Sequence, residues 1–190
     1  MFETTRLRLR RPRESDVAAV FAYRSRPDVA RHLSAGTWTL EHTSSELSLY
    51  ARAQFCGPGD ELVLLVELLE TSEVVGEVGL VWLSDGSAEI GYVFNPDFGG
   101  KGLATEAVRA ILDAARDTWG FARVIATTDS DNEPSRALCE RLGMVRVSIQ
   151  HAADRPGVEE STYATPPLRE PLASAPDSVP GRRCVDECRE

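Results

Sequence analysis

Three glycines and the chain's one lysine fall within four residues, Gly99-Gly100-Lys101-Gly102, just before a run with helical spacing, "LATEAVRAILDAAR". Glycines in such density cost backbone entropy on folding and return no apolar packing. What they provide is a turn of uncovered N–H groups at a helix start, where free amides and the helix dipole both favour an anion. With no Cβ in the way, a phosphate can approach the backbone closely. The stretch therefore reads as a phosphate-binding loop, with a tight strand-to-helix turn as the purely structural alternative. Two common phosphate loops do not fit. A Walker A loop needs Ser or Thr after the lysine and an earlier glycine, but Gly102 and Asn95 hold those positions. A dinucleotide fingerprint read from Gly100 and Gly102 has Thr105 in place of its third glycine, and it lies after a run of strands rather than opening a βαβ unit.

The elements around the loop follow from periodicity. "TRLRLRRP" alternates leucine with arginine and stops at Pro12, so it predicts a strand with one buried face. Ser15 or Asp16 then caps a helix over "VAAVFAYRS", and helices are expected near "PDVARHL" and across "TLEHTSSELSLYARAQF". "ELVLLVELL", "EVVGEVGLVWL" and "SAEIGYVFN" read as an antiparallel meander leading into the glycine loop. A helix over about 103–118, a strand "ARVIATT", a helix "EPSRALCERLG" and strands at "MVRVSIQ" and "EESTYAT" complete the pattern.

Composition sets the outer limits. At 190 residues with 42% apolar side chains, the chain suits one core-forming domain, or one domain and a tail. From Pro166 onward prolines accumulate and large apolar residues thin out, which predicts a flexible tail over residues 166–190. Cys184 and Cys188 within it lack the further ligands a zinc site needs. The four cysteines do not form a disulfide framework, no apolar run is long enough to span a membrane, and the charged N-terminus does not suit a signal peptide. A cytoplasmic protein with neither membrane nor nucleic acid as partner is expected. The net charge of −9 is uneven: residues 1–31 carry a net +4 and residues 32–98 a net −10. The acidic middle is either a solvated face or a region that favours cationic ligands.

"EIGYVFNPDFGGKGLATEAV", followed by "TTDSDNEPSRALCERLGM", resembles the GNAT superfamily of N-acetyltransferases. Upstream, "TRLRLRRPRESDVAAVF" and "PDVARHLS" resemble the branch that includes ribosomal-protein N-terminal acetyltransferases. The resemblance spans residues 4–165. It implies an α/β (α+β) fold with a mixed, mostly antiparallel central sheet flanked by helices and splayed after the fourth strand, acetyl-CoA lying in the gap. By that resemblance, Val93 and Phe94 pair with the pantetheine arm through their main chain. Gly99, Gly100, Lys101, Gly102, Leu103, Ala104 and Thr105 hold the pyrophosphate, and Asn132 contacts the cofactor arm. Gly99 departs from the family pattern, which has Gln or Arg there. Acetyl-CoA would be the co-substrate, with no metal, in a monomer or homodimer.

Transfer from a thioester to an amine needs a neutral amine and a proton for the departing thiolate. Glu89 matches a family carboxylate used as general base; its structural alternative is a carboxylate bonded to a neighbouring strand. Many relatives carry a tyrosine where Cys139 stands, and Ser135 corresponds to a serine implicated in this branch. Ser135 is therefore the expected acid, or else a residue of the helix start, and Cys139 is expected to pack. Tyr92 and Trp82 either line the acceptor cleft or belong to the core. The implied activity is acetyl transfer to a primary amine, on a peptide or protein N-terminus or a small molecule. A scaffold that senses acyl-CoA without turnover, or a nucleotide-binding regulator, are the competing readings.

Overall fold

The computed structural model describes residues 1–166, so the expected tail, with Cys184 and Cys188, lies outside the described residues. Eight strands form one sheet: β1 (Phe2–Glu3), β2 (Leu7–Arg10), β3 (Glu61–Leu68), β4 (Val74–Trp82), β5 (Ala88–Phe94), β6 (Val124–Asp129), β7 (Val145–His151) and β8 (Glu159–Ala164). Their order across the sheet is β1-β2-β3-β4-β5-β6-β8-β7. Every neighbouring pair is antiparallel except β5 and β6.

That parallel pair needs a crossover, which α4 (Leu103–Asp117) supplies. Its apolar stripe of Leu103, Ala107, Val108 and Ile111 packs on Leu62, Leu64, Leu80 and Ile90 of the sheet. The opposite face is covered by α1 (Val17–Arg24) and α3 (Leu40–Arg52), with Val20, Tyr23 and Leu47 against Leu65 and Val74. The short α2 (Pro27–Ala30) leads out of α1, and α5 (Glu133–Arg141) follows β6.

The alternation of β2 places Leu7 and Leu9 in the core as its pattern predicts. Arg10, on the other face, is also buried, because Asp16 and Glu67 pair with it at 2.7 and 2.6 Å. Asp16 thus lies in a 3-10 turn ahead of α1, its carboxylate spent on Arg10 and on the Arg13 N–H. The fourth strand of the sequence pattern is β5, since the two-residue β1 carries no readable period. There the sheet opens, as expected. The last strand, β8, inserts between β6 and β7, which leaves β7 on the edge with Val145, Val147 and Ile149 at least half exposed.

Candidate functional site

β5 and β6 pair only at Ala88 with Val124 and at Glu89 with Ile125. Beyond those residues β5 continues to Phe94 and β6 to Asp129 without meeting. From residue 90 onward the β6-facing edge of β5 has no strand partner, so a V opens through the sheet. Alternation along β5 sends Ile90, Tyr92 and Phe94 toward α4, and Val93 toward α1 and α3.

On one side lies a cavity of about 870 Å³. Its walls include Val93, Phe94, residues 99–105 and Asn132, so all ten residues that the resemblance assigns to the cofactor line a single space. Gly100 and Gly102 both sit at φ +74°, a left-handed conformation that side chains strain to adopt, which explains their residue type. Gly99 has φ −63°, and a Cβ there would come 3.0 Å from the Pro96 carbonyl oxygen. Gly102 is the N-cap of α4 and has no side chain to satisfy the first-turn amides, which stay available to a ligand. The loop is braced from behind, where Arg6 donates to the Lys101 carbonyl at 2.9 Å and pairs with Glu106 at 2.6 Å.

On the other side is a cavity of about 560 Å³. Its floor is two facing glycines, Gly79 and Gly91, paired across β4 and β5. Glu61, Glu77 and Glu89 lie around that floor. Glu77 is buried and accepts from Tyr23 at 2.9 Å and from Arg24. Glu61 and Glu89 have no ion pair among the described residues, and burial together with the charges of Glu46 and Glu77 pushes the Glu61 carboxyl above its ordinary value. This is an electronegative pocket with few counter-charges.

His32, Leu33, Tyr92, Val93, Asn132 and Ser135 line both cavities, and so mark where they join. Asn132 caps α5, its side-chain oxygen accepting the Ser135 N–H at 3.2 Å. The Ser135 hydroxyl lies 2.9 Å from that of Tyr92. The Tyr92 hydroxyl also lies 3.4 Å from the Cys139 sulfur. Burial, then Cys139 itself, holds the Tyr92 phenol well above its ordinary value, so it remains a hydrogen-bond donor. Cys139 is fully buried within the core and lines neither cavity, and burial pushes its thiol up.

Of the two expected catalytic residues, Ser135 is at the junction, while Glu89 lines only the acidic cavity, at the closed end of the V. Trp82 packs on Phe55 and Phe121 and lines neither cavity. Tyr92, open between cleft and core in the sequence, lines both cavities, whereas two residues escaped the sequence altogether. His32 and Asp129 are 97 positions apart, with no spacing signal to join them. In the structure His32 Nδ1 lies 2.9 Å from Asp129 Oδ2.

A family model described as an acetyltransferase (GNAT) domain matches residues 6–145. The chain is 29% identical over 145 residues to YnaD, an uncharacterized N-acetyltransferase of Bacillus subtilis (strain 168), covering 75% of this chain and 81% of the relative. It superposes on a GNAT-family acetyltransferase from Bacillus anthracis with a TM-score of 0.77 and 28% identity, covering 85% of this chain and 95% of the other. RimL, a ribosomal L7/L12 α-N-protein acetyltransferase solved with coenzyme A, shares the fold at a TM-score of 0.72 and 20% identity, with 85% and 94% covered.

Proposed function

The chain belongs to the GNAT acetyltransferase family, and on that footing we propose that it transfers an acetyl group from acetyl-CoA to a primary amine by direct attack in a ternary complex. The observation that carries this reading is the pair of cavities that approach the open V from opposite faces and join at residues 32, 33, 92, 93, 132 and 135. One cavity has a glycine-rich phosphate cradle and the other an acidic lining, as a phosphorylated donor and a cationic amine would require.

Acetyl-CoA supplies the thioester. Residues 99–105 and the α4 N-terminus hold its pyrophosphate, Lys101 adds a positive charge, and Val93 and Phe94 offer main-chain groups to its arm. Asn132 has no partner for its side-chain N–H donors among the described residues, which leaves them for the same arm while its oxygen caps α5. The Ser135 hydroxyl protonates the departing sulfur, with Tyr92 behind it as a fixed donor. Cys139 only packs.

On the amine side, Glu61, Glu77 and Glu89 attract the ammonium form. Glu89 is one candidate for the base. A peptide α-amine with pKa ~8 costs only about 1.4 kcal/mol to deprotonate at pH 7, whereas a lysine at ~10.4 costs nearly 5. The acceptor is an α-amine of a peptide or protein, as the name of RimL says of that protein, or a small-molecule amine of similar basicity. We further propose that residues 1–165 are the catalytic domain.

Two assays test this. Acetyl-CoA should raise the melting temperature, and thiol release should depend on an added amine. Stabilisation by acetyl-CoA without thiol release on any amine of a peptide, aminoglycoside and polyamine panel would favour a sensing scaffold instead.

A further inference from the structure

We propose that His32, oriented by Asp129, takes the proton from the acceptor amine. This rests on the acetyl-transfer reading above. Of the six residues shared by the two cavities, only His32 is of a type that gains and loses a proton near neutral pH. Glu89 lines the acidic cavity alone, so it draws the cation in without standing at the junction.

The tautomer follows from the partners. Asp129 is 4% exposed, and Arg155 grips both of its oxygens, at 2.5 and 3.0 Å. Burial works to raise this carboxyl, but hydrogen bonds from Arg155 and His32 outweigh it and hold the group below its ordinary value. An ionised carboxylate only accepts, so His32 Nδ1, 2.9 Å from Oδ2, must carry the hydrogen. The neutral ring then presents Nε2 as a lone-pair acceptor, and Nε2 has no hydrogen-bond partner among the described residues. This is the arrangement of a general base held by a carboxylate.

The other charges near the ring are Asp131, 3.5 Å from Nδ1 and itself 3.9 Å from Arg31, and Glu160, which shares Arg155 at 2.9 Å. The side chains of His32, Asp129 and Asp131 lie close enough together to suggest a cation site, but Asp129 spends both oxygens on Arg155 and His32. The group is built around a proton.

The step balances. The ammonium gives one proton to Nε2, which passes it to solvent. The nitrogen lone pair then forms the C–N bond as the C–S bond breaks. The nitrogen's second proton leaves for Ser135 as Ser135 gives its own to the sulfur. One amide, one thiol and one released proton result.

The test compares wild type with His32→Gln, His32→Ala and Glu89→Gln in kcat–pH profiles on an α-amine peptide, and reads the histidine tautomers of the free protein by ¹H–¹⁵N correlation. We expect His32→Gln to keep acetyl-CoA binding, lose about a hundredfold in kcat and lose the acid limb of the profile. Imidazole in solution should restore part of the His32→Ala rate. In the wild-type spectrum, the signal that His32→Gln removes should be that of the Nδ1–H tautomer. Wild-type turnover with His32→Gln within threefold of it overturns the proposal, as does an Nε2–H tautomer or an acid limb abolished by Glu89→Gln alone. A wild type that turns over no amine sinks the acetyl-transfer reading, and this one with it.

Discussion

The hydroxyls of Tyr92 and Ser135 meet at 2.9 Å, one from β5 and the other from the first turn of α5, where the two cavities join. Cys139 stands where the resemblance leads one to expect a tyrosine, and a tyrosine hydroxyl does lie 3.4 Å from its sulfur, carried by the strand. A phenol held above its ordinary value donates a hydrogen bond but yields its proton poorly. The proposed relay therefore runs through Ser135, with the Tyr92 hydroxyl holding the serine's hydroxyl at 2.9 Å.

Ser135→Ala should lower kcat by about a hundredfold and leave the Kd for acetyl-CoA nearly unchanged. Tyr92→Phe should cost less, about tenfold, and the double variant should match Ser135→Ala, since the two act as one unit. Cys139→Ala should cut stability, by roughly 1–3 kcal/mol for a buried side chain of this size, with little change in kcat. A larger kcat loss in Cys139→Ala than in Ser135→Ala would reverse the assignment.

Local signals carried most of the strand and helix pattern. The glycine loop could be read because its residue types answer to backbone geometry, and Gly100 and Gly102 do occupy the left-handed region. β1 was invisible because two residues have no period, and the insertion of β8 between β6 and β7 is a choice of pairing that no local pattern encodes. On the side of the acidic cavity, the sequence pointed to Glu89, which does line it. His32 and Asp129 become neighbours through the fold alone, α2 bringing one to the end of the strand that carries the other. Tyr92 stayed undecided for a different reason, since one aromatic in an apolar strand suits cleft or core until its hydroxyl finds a partner.

For the loop, Gly100→Ala is the probe. Nothing lies within 4 Å of the Cβ it would add, so sterics with neighbours are not at issue, but φ +74° costs an alanine about 1–2 kcal/mol. The variant should stay folded, re-form the loop and bind acetyl-CoA at least tenfold more weakly, as measured by calorimetry. Unchanged affinity would remove the loop from the phosphate site.

Gly91→Val tests the acidic cavity separately. Gly91 is in ordinary strand conformation, with open space where a Cβ would go, so a β-branched residue fits the backbone and fills the floor. Acetyl-CoA binding should persist while the KM for the amine rises at least tenfold. A rise in the Kd for acetyl-CoA with no change for the amine would exchange the roles of the two cavities.

Truncation tests the domain boundary. The Thr165 side chain accepts the Val124 N–H at 3.0 Å, and its own N–H donates to Val124 at 2.9 Å, tying the chain to β6. A protein ending at Thr165 should melt within about 2 °C of the full chain and retain its kcat, because those bonds are kept. Loss of folding would place an essential contact beyond this point.

Acid should weaken the fold through its buried carboxylates. Burial works to raise the Asp16 carboxyl, but the Arg10 guanidinium, with the Arg13 N–H, outweighs it and holds the group below its ordinary value. A carboxyl whose folded value is depressed stabilises the protein above its unfolded pKa, near 3.9, and loses that contribution as pH falls through the folded value. Below about pH 4 the unfolded chain binds more protons than the folded one, so stability must rise with pH there. Asp129 adds in the same direction. Asp16→Asn keeps the shape but leaves Arg10, 5% exposed, with Glu67 as its one remaining charged partner among the described residues. Breaking half of such a buried pair costs about 3–5 kcal/mol at pH 7. Urea unfolding should show that deficit at pH 7 and a smaller one at pH 3, where the unfolded wild-type chain carries a proton on Asp16 that folding must expel. A deficit that stays constant between those pH values would show that Asp16 acts by shape and hydrogen bonding, not by charge.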